Sequence, residues 1–399
     1  MTVESGAATT AAQPAPEMPD QAGEFIQLLT PEGERIDHPD YPLELSAADI
    51  RAMYRDLVLV RRIDTEAIAL QRQGELGIWA SLLGQEAAQI GSARSLEPDD
   101  MVFPTYREHG VAWCRGIDPM RLLELYRGVS HGGWDPEEHK FHLYTIVIGS
   151  QTLHATGYAM GIQRDGAVGG DPPDPDDPKA SERPGEAVIA YFGDGATSQG
   201  DVNEAFVFAS VFNAPIVFFC QNNQWAISAP LEKQSRVPLY QRARGFGFPG
   251  VRVDGNDVLA CYAVTKKAMQ AAREGQGPTL IEAFTYRMGA HTTTDDPTRY
   301  RLASELEMWK LRDPIERVRA YLVRTGLAEP DFFADVDAEA NQIGARVREA
   351  CRTMPDPPPL AIFDHVYAEP TSIIRAEREQ YAAYLDSFPS EENEEASSR

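Results

Sequence analysis

The chain has 399 residues and carries 37 Lys and Arg against 61 Asp and Glu, a net charge of −24. That length holds one large domain or two smaller ones with a sizeable core, and 43% hydrophobic content excludes wholesale disorder. The acidic balance, with no Lys/Arg stripe, excludes a nucleic-acid binder, and no apolar run approaches the roughly 18–20 residues of a membrane span.

Residues 1–40 carry eight acids and one Arg, open on Ala, Thr and Pro, and are expected to be largely disordered. They show neither the basic leader nor the apolar core of a secretory signal. Residues 46–73 read as an amphipathic helix. Residues 165–186 (DGAVGGDPPDPDDPKASERPGE) hold seven acids and five prolines, an acidic Pro-rich insert expected to pack on nothing. AVIAYF (187–192) and PIVFFC (215–220) are continuous apolar runs, the pattern of strands buried on both faces. The segment 199–213 between them reads as a helix, with an Asp near its start and Pro215 just past its end. VRVDG (251–255), an amphipathic helix over 257–275 and PTLIEAFTYR (278–287) repeat the strand–helix–strand order. Residues 302–351 read as flanking helices, and 371–399 as a C-terminal helix followed by an acidic tail. The alternation predicts an α/β fold, a parallel sheet with helices on both faces and helical extensions, in one domain over 41–370. The acidic segments account for most of the net charge, which is therefore a property of tails and insert rather than of a binding face. Four scattered cysteines (Cys114, Cys220, Cys261, Cys351), without CxxC spacing, fit a reducing compartment, the cytoplasm.

Two motifs fail on context. Gly245-Phe-Gly247-Phe-Pro-Gly250 matches GxGxxG, but a strand follows it where a dinucleotide site needs a helix. Gly128-Val-Ser130-His-Gly132 matches a nucleophile elbow, but a helix leads into it, so a helix C-cap is the better reading. The informative pair is Gly193-Asp194-Gly195 with Asn222-Asn223. Both sit at the C-terminal ends of neighbouring predicted parallel strands, where open α/β sheets bind ligands. A carboxylate and an amide oxygen make a hard-oxygen set suited to Mg²⁺ completed by phosphate oxygens. Glycine allows close backbone approach, and a helix N-terminus near Ser198 adds N–H donors.

GDG followed about thirty residues later by NN resembles the signature of thiamine-diphosphate enzymes, and the likeness extends further. The blocks LQRQGELGIWASLLGQEAAQIGSA, VFPTYREHGV, HLYTIVIGSQTLHATGYAMG, AYFGDGATSQGD, FFCQNNQWAIS, VRVDGNDV and TYRMGAHTTTDDPTRYR run in family order. Over about residues 25–370 the chain resembles the alpha subunit of the decarboxylating component of 2-oxo acid dehydrogenase complexes, most of all the bacterial branched-chain type. Pyruvate-specific members share nearly all the blocks.

The resemblance implies the thiamine-diphosphate-binding fold, with thiamine diphosphate and Mg²⁺ as cofactors. It implies Asp194, Asn223 and the Trp225 carbonyl as metal ligands. Gly195 and Ala196 would cradle the diphosphate, with Tyr106, Arg107 and His291 on its phosphates; Tyr106 and His291 are also the catalytic candidates. Ile146 and Ile148 would pack on the aminopyrimidine. Gln221 stands where some members place a phosphate-binding Arg, and a neutral amide would weaken that contact. Ser150 and Gln151 match part of a potassium site in animal enzymes, but Val147 and Ile146 depart from it. Arg287, Asp295, Tyr300 and Arg301 match a mobile loop that orders around the cofactor and meets the lipoyl domain. Trp79 and Ile78 fit either an acyl pocket or core packing. No residue of this chain stands out as the buried acid that activates the aminopyrimidine, so the resemblance implies a beta subunit that supplies it in an α₂β₂ assembly. A lipoyl-bearing dihydrolipoamide acyltransferase and a small 2-oxo acid complete the expected partners. A non-catalytic nucleotide-binding protein and a self-sufficient decarboxylase are the rival readings; the second needs another α/β domain, for which the chain has little room.

Overall fold

The apolar runs at 187–192 and 215–220 become the centre of a six-stranded parallel sheet in the computed structural model, which describes residues 25–169 and 185–388. Its strands are β1 (Phe25–Ile26), β2 (Met101–Phe103), β3 (Val188–Gly193), β4 (Ile216–Asn222), β7 (Gly250–Asp254) and β8 (Thr279–Phe284); β5 (Trp225–Ala226) and β6 (Ala229–Pro230) form a small hairpin. The sheet order is β1-β7-β8-β4-β3-β2.

Side chains alternate between the faces with the pleat. Ile189 and Tyr191 of β3 and Val217 and Phe219 of β4 enter one core cluster, while Val188, Ala190, Phe192, Ile216, Phe218 and Cys220 enter another. The first face is covered by helices Ala47–Arg72, Glu86–Ala93 and Val258–Arg273, the second by Ser150–Asp165 and Gly200–Phe212. Burial on both faces explains why the strands read as unbroken apolar runs. The expected helical region 302–351 is three helices, Ala303–Lys310, Pro314–Thr325 and Pro330–Thr353, the last packed along Ala47–Arg72. Among the described residues no helix is long and apolar enough to cross a membrane.

One expectation is corrected. Residues 1–24 lie outside the described residues, but 25–40, read as disordered with them, are packed. Phe25 and Ile26 pair with Arg252 and Val253, and Leu28 and Leu29 are buried. The Asp257 carboxylate accepts from the Leu28 and Leu29 N–H groups (2.7 and 2.6 Å) while capping helix Val258–Arg273 through Leu259 and Ala260 (both 3.0 Å). Counting acids over forty residues hid the short apolar run FIQLL (25–29). Asp257→Ala leaves four buried donors unsatisfied, and a decrease in stability of about 3 kcal/mol is expected, visible as a melting temperature several degrees lower. An unchanged melting temperature would show that this anchor carries no stability.

Of the acidic insert, 170–184 lie outside the described residues; at its borders the Gly169 N–H donates to the Arg273 carbonyl (2.7 Å) and the Glu186 N–H to that of Ala167 (3.0 Å). The two rejected motifs behave as context demanded. Gly247 (φ +90°) ends helix Arg242–Phe246, and Gly128 (φ +82°) caps helix Pro119–Arg127.

Candidate active site

β3 and β4 are adjacent and in register, with Gly193 opposite Gln221, so the residues that follow each strand emerge side by side. They form the floor of a cavity of about 500 Å³ at the C-terminal edge of the sheet. The eleven residues expected to hold cofactor or metal line it: Tyr106, Arg107, Ile146, Ile148, Asp194, Gly195, Ala196, Gln221, Asn223, Trp225 and His291, whereas the loop candidates Arg287, Asp295, Tyr300 and Arg301 do not. Its size is typical of small-molecule sites.

The floor groups could hold a cation. Asp194 is 1% exposed, and no Lys or Arg lies within ion-pair distance of its carboxylate among the described residues. Burial pushes its pKa up to about 6, against opposing bonds led by the one from Gln234 Nε2 (3.0 Å). A buried carboxylate without a cation is costly, and a metal supplies the missing charge. Asn223 beside it has its orientation set, its Oδ1 accepting from the Trp225 N–H (3.2 Å) and its Nδ2 donating to Gln85 (3.0 Å). The Trp225 carbonyl already accepts from Arg287 Nη1 (3.1 Å), leaving one lone pair. One carboxylate, one amide oxygen and one carbonyl fit Mg²⁺ that takes its remaining ligands from phosphate. Among the described residues no group of three or more His, Cys, Asp and Glu offers an all-protein metal cage. Asn222, the other half of the NN pair, is structural, its Nδ2 donating to Glu282 (2.6 Å).

On the wall above, Arg107 and His291 line the cavity and Arg287 stands against His291 (3.4 Å). Arg107 and Arg287 are buried, and neither pairs with a carboxylate within ion-pair distance among the described residues. Both are held by carbonyls instead, Arg107 on Ser81 and His291 and Arg287 on Trp225 and Ile227. His291 Nδ1 faces both guanidiniums at 3.4 Å, so it accepts and the proton sits on Nε2. Burial, then Arg107, then Arg287 push its pKa down to about 4. Helix Gly200–Phe212 begins at the cavity with no side-chain cap on its N-terminal N–H groups, and its N-cap Gln199 lines the wall.

Gly193 has open space where a Cβ would stand, as an approach by a ligand requires. Gly195 is glycine for another reason, since its Cβ would lie 2.7 Å from that of Ala226. Trp79 belongs to the core, stacked on His109 (4.2 Å) with its indole N–H on Asp64 (2.7 Å), whereas Ile78 lines the cavity. Ile146 (67% exposed), Ile148, Ile227 and Ile78 make an apolar rim. The Ser150 hydroxyl donates to the Val147 carbonyl (2.9 Å) and Gln151 Nε2 to that of Tyr191 (2.9 Å).

The segment 287–301 is tied by its own bonds. The His291 N–H donates to Asp295 (2.8 Å), Tyr300 donates to Asp295 and accepts from Arg287 (2.9 Å), and Arg301 donates to the carbonyls of residues 287, 288 and 289. The loop is thus held by the main chain of His291 rather than by its imidazole.

Sequence reasoning missed Glu108 and Gln85. Glu108 is buried in the cavity wall, and burial pushes its pKa up. Its oxygens accept from the Thr105 N–H and hydroxyl (both 2.6 Å) and from Gln221 Nε2 (2.6 Å). That pins the turn carrying Tyr106 and Arg107, and spends one N–H of Gln221, whose oxygen accepts from Gln89 (3.1 Å). A carboxylate with so many donors is an anchor rather than a proton source. Both residues stand inside quoted blocks, but only the fold shows where their side chains go.

A family model described as dehydrogenase E1 component matches residues 54–362. The chain is 45% identical over 363 residues to the 3-methyl-2-oxobutanoate dehydrogenase subunit alpha of Mycobacterium tuberculosis, covering 91% of this chain and 94% of the relative. It is 38% identical over 340 residues to the pyruvate dehydrogenase E1 component subunit alpha of Acholeplasma laidlawii, covering 84% and 93%, and 38% over 321 residues to that of Bacillus cereus, covering 80% and 82%.

Proposed function

Since the chain belongs to the dehydrogenase E1 component family, we propose that it is the alpha subunit of a branched-chain 2-oxo acid dehydrogenase, which decarboxylates a small 2-oxo acid oxidatively and passes the acyl group to a lipoyl-bearing acyltransferase. The observation that carries this reading is one cavity lined by the buried Asp194 carboxylate and the buried Arg107 guanidinium, neither in an ion pair among the described residues, with the buried Arg287 against His291 (3.4 Å). Such a site is matched by a divalent cation bridged to a diphosphate.

Asp194, Asn223 and the Trp225 carbonyl would hold Mg²⁺. Arg107, His291, Tyr106 and the free N–H groups of helix Gly200–Phe212 would hold the diphosphate, with Gly195 and Ala196 beneath it. Ile146 and Ile148 offer the apolar contact for the ring system. When bound, thiamine diphosphate supplies the electron sink for the carbon left behind as CO₂ departs. This chain would orient that group and offset its charge, with the neutral His291 Nε2–H available as a donor in the cavity. With Glu108 committed as an anchor, the acid that activates the aminopyrimidine comes from a beta subunit, and the apolar rim at Ile146 and Ile148 is the surface such a subunit would cover. The greater likeness to the 3-methyl-2-oxobutanoate enzyme supports branched-chain substrates over pyruvate. Four unpaired cysteines support a cytoplasmic setting.

The test is to assay purified alpha chain alone and with its beta subunit against 3-methyl-2-oxobutanoate and pyruvate. No turnover is expected alone, and with beta a higher kcat/KM for the branched acid. Turnover by alpha alone refutes the split site; preference for pyruvate makes this the pyruvate-type subunit. Binding of ATP or NAD with no response to thiamine diphosphate replaces the reading with a nucleotide-binding protein.

A further inference from the structure

The orientation of Asn223 follows from one backbone donor. The Trp225 N–H can only donate, so the atom it meets is the amide oxygen, and the Asn223 NH₂ faces the other way. There it donates to Gln85 Oε1 (3.0 Å). Gln85 is 1% exposed and lines the same cavity as Asp194 and Asn223. With its oxygen committed to Asn223, its Nε2 is turned away, and that nitrogen is buried with no hydrogen-bond partner. An unsatisfied buried amide costs roughly 1–3 kcal/mol. A fold keeps such a group where a ligand brings the acceptor.

The backbone beneath Gln85 fixes its aim. Gly84 sits at φ +93°, and a Cβ there would lie 2.3 Å from the Tyr286 carbonyl. The Gly84 carbonyl accepts from the Thr285 hydroxyl (2.7 Å), and that of Leu83 accepts from the Met288 N–H (3.0 Å). The loop is wedged against the segment that follows β8 and cannot slide to find Nε2 another partner.

We propose that Gln85 is a further binding residue of this site, its Oε1 holding the Asn223 oxygen in place for the cation while its Nε2–H donates to a diphosphate oxygen. Only an amide carries an acceptor and a donor on one terminal plane; glutamate lacks the donor and lysine the acceptor. This inference rests on the diphosphate–Mg²⁺ reading of the cavity.

The test uses the assembled alpha–beta complex and calorimetry, with thiamine diphosphate and, separately, inorganic diphosphate, each across a Mg²⁺ series. Gln85→Met keeps the volume and removes both hydrogen-bonding ends. Binding of both probes is expected to weaken tenfold or more, with a higher Mg²⁺ half-saturation and a cofactor-free melting temperature close to wild type, because the orphaned Gln85 Nε2 is removed while Asn223 Nδ2 loses its acceptor. Gln85→Glu keeps an oxygen for Asn223 but turns a charge toward the diphosphate, so inorganic diphosphate should bind at least as weakly as in Gln85→Met. That variant carries the test if Gln85→Met does not assemble. Asp194→Ala separates the two levels. If it retains Mg²⁺-dependent binding, the reading of the cavity falls and this inference with it. If it loses binding while both Gln85 variants bind both probes within twofold of wild type, the cavity reading stands and the role given to Gln85 is overturned.

Discussion

Asp194→Asn is expected to abolish Mg²⁺-dependent retention of thiamine diphosphate while leaving the cofactor-free protein as stable as wild type or more so. The two halves have one cause. The carboxylate is buried without an ion-pair partner among the described residues, and burial already drives its pKa to about 6, so the charge is a burden on the fold until a cation arrives. The isosteric amide removes the burden and the ligand's charge together. Affinity should fall by about 100-fold or more, since a ligand charge is worth at least the roughly 3 kcal/mol of a charge-assisted hydrogen bond. Thermal melting with and without Mg²⁺ and cofactor reads both effects, because the ligand-induced rise should vanish. Asn223→Ala should lose the same rise but melt lower, because the Trp225 N–H loses its acceptor. A cofactor-free Asp194→Asn protein that melts several degrees lower yet still responds fully to cofactor would make Asp194 a structural residue and sink the metal assignment.

His291→Ala should weaken cofactor binding by about 10- to 150-fold, the value of one charge-assisted hydrogen bond. The loss should be greater in transfer to the lipoyl domain than in decarboxylation read with an artificial acceptor. Transfer opens the lipoyl disulfide and a sulfur takes up a proton, which His291 would give if it is the donor of this step. A proton count supplies an independent reading. The cofactor-free pKa is pushed down to about 4 by burial, Arg107 and Arg287. An anion bound beside Arg107 and His291 in the cavity would offset the guanidiniums and raise it. Binding should therefore take up protons from pH about 4 to about 6.5 in the wild type and none from this site in His291→Ala. The stability sign follows from the same shift. The unfolded chain protonates this histidine first, so its contribution is complete above pH about 6.5 and is lost as pH falls toward 4. Calorimetry in buffers of different ionisation enthalpy measures the uptake. Equal losses in both assays with unaltered proton uptake would remove His291 from both roles. Because the loop is tied through Asp295, Tyr300, Arg287 and Arg301, tryptic cleavage near Arg299 should stay unchanged in this variant.

The parallel sheet, its two covering layers and the pairing of GDG with NN were legible in the amino-acid order, and the remaining candidate residues came with the family resemblance. Local periodicity sets strands and helices, and the register of β3 on β4, with Gly193 opposite Gln221, brings GDG beside NN. What the order of residues could not reveal is partnership. Phe25–Leu29 is too short and too close to acidic sequence to announce a strand, yet Phe25 and Ile26 form one because β7 offers an edge, and Leu28 and Leu29 are held because Asp257 offers acceptors. Glu108 and Gln85 are ordinary polar residues by composition; their parts follow from burial against Thr105, Gln221 and Asn223, which lie up to 138 positions away. The pKa of His291 is likewise a tertiary property, set by Arg107 184 positions before it as much as by its own turn. Chemistry-bearing residue types are a one-dimensional signal. The desolvation and hydrogen-bond saturation that decide which of them act, and which only hold others in place, exist once the chain has closed around them.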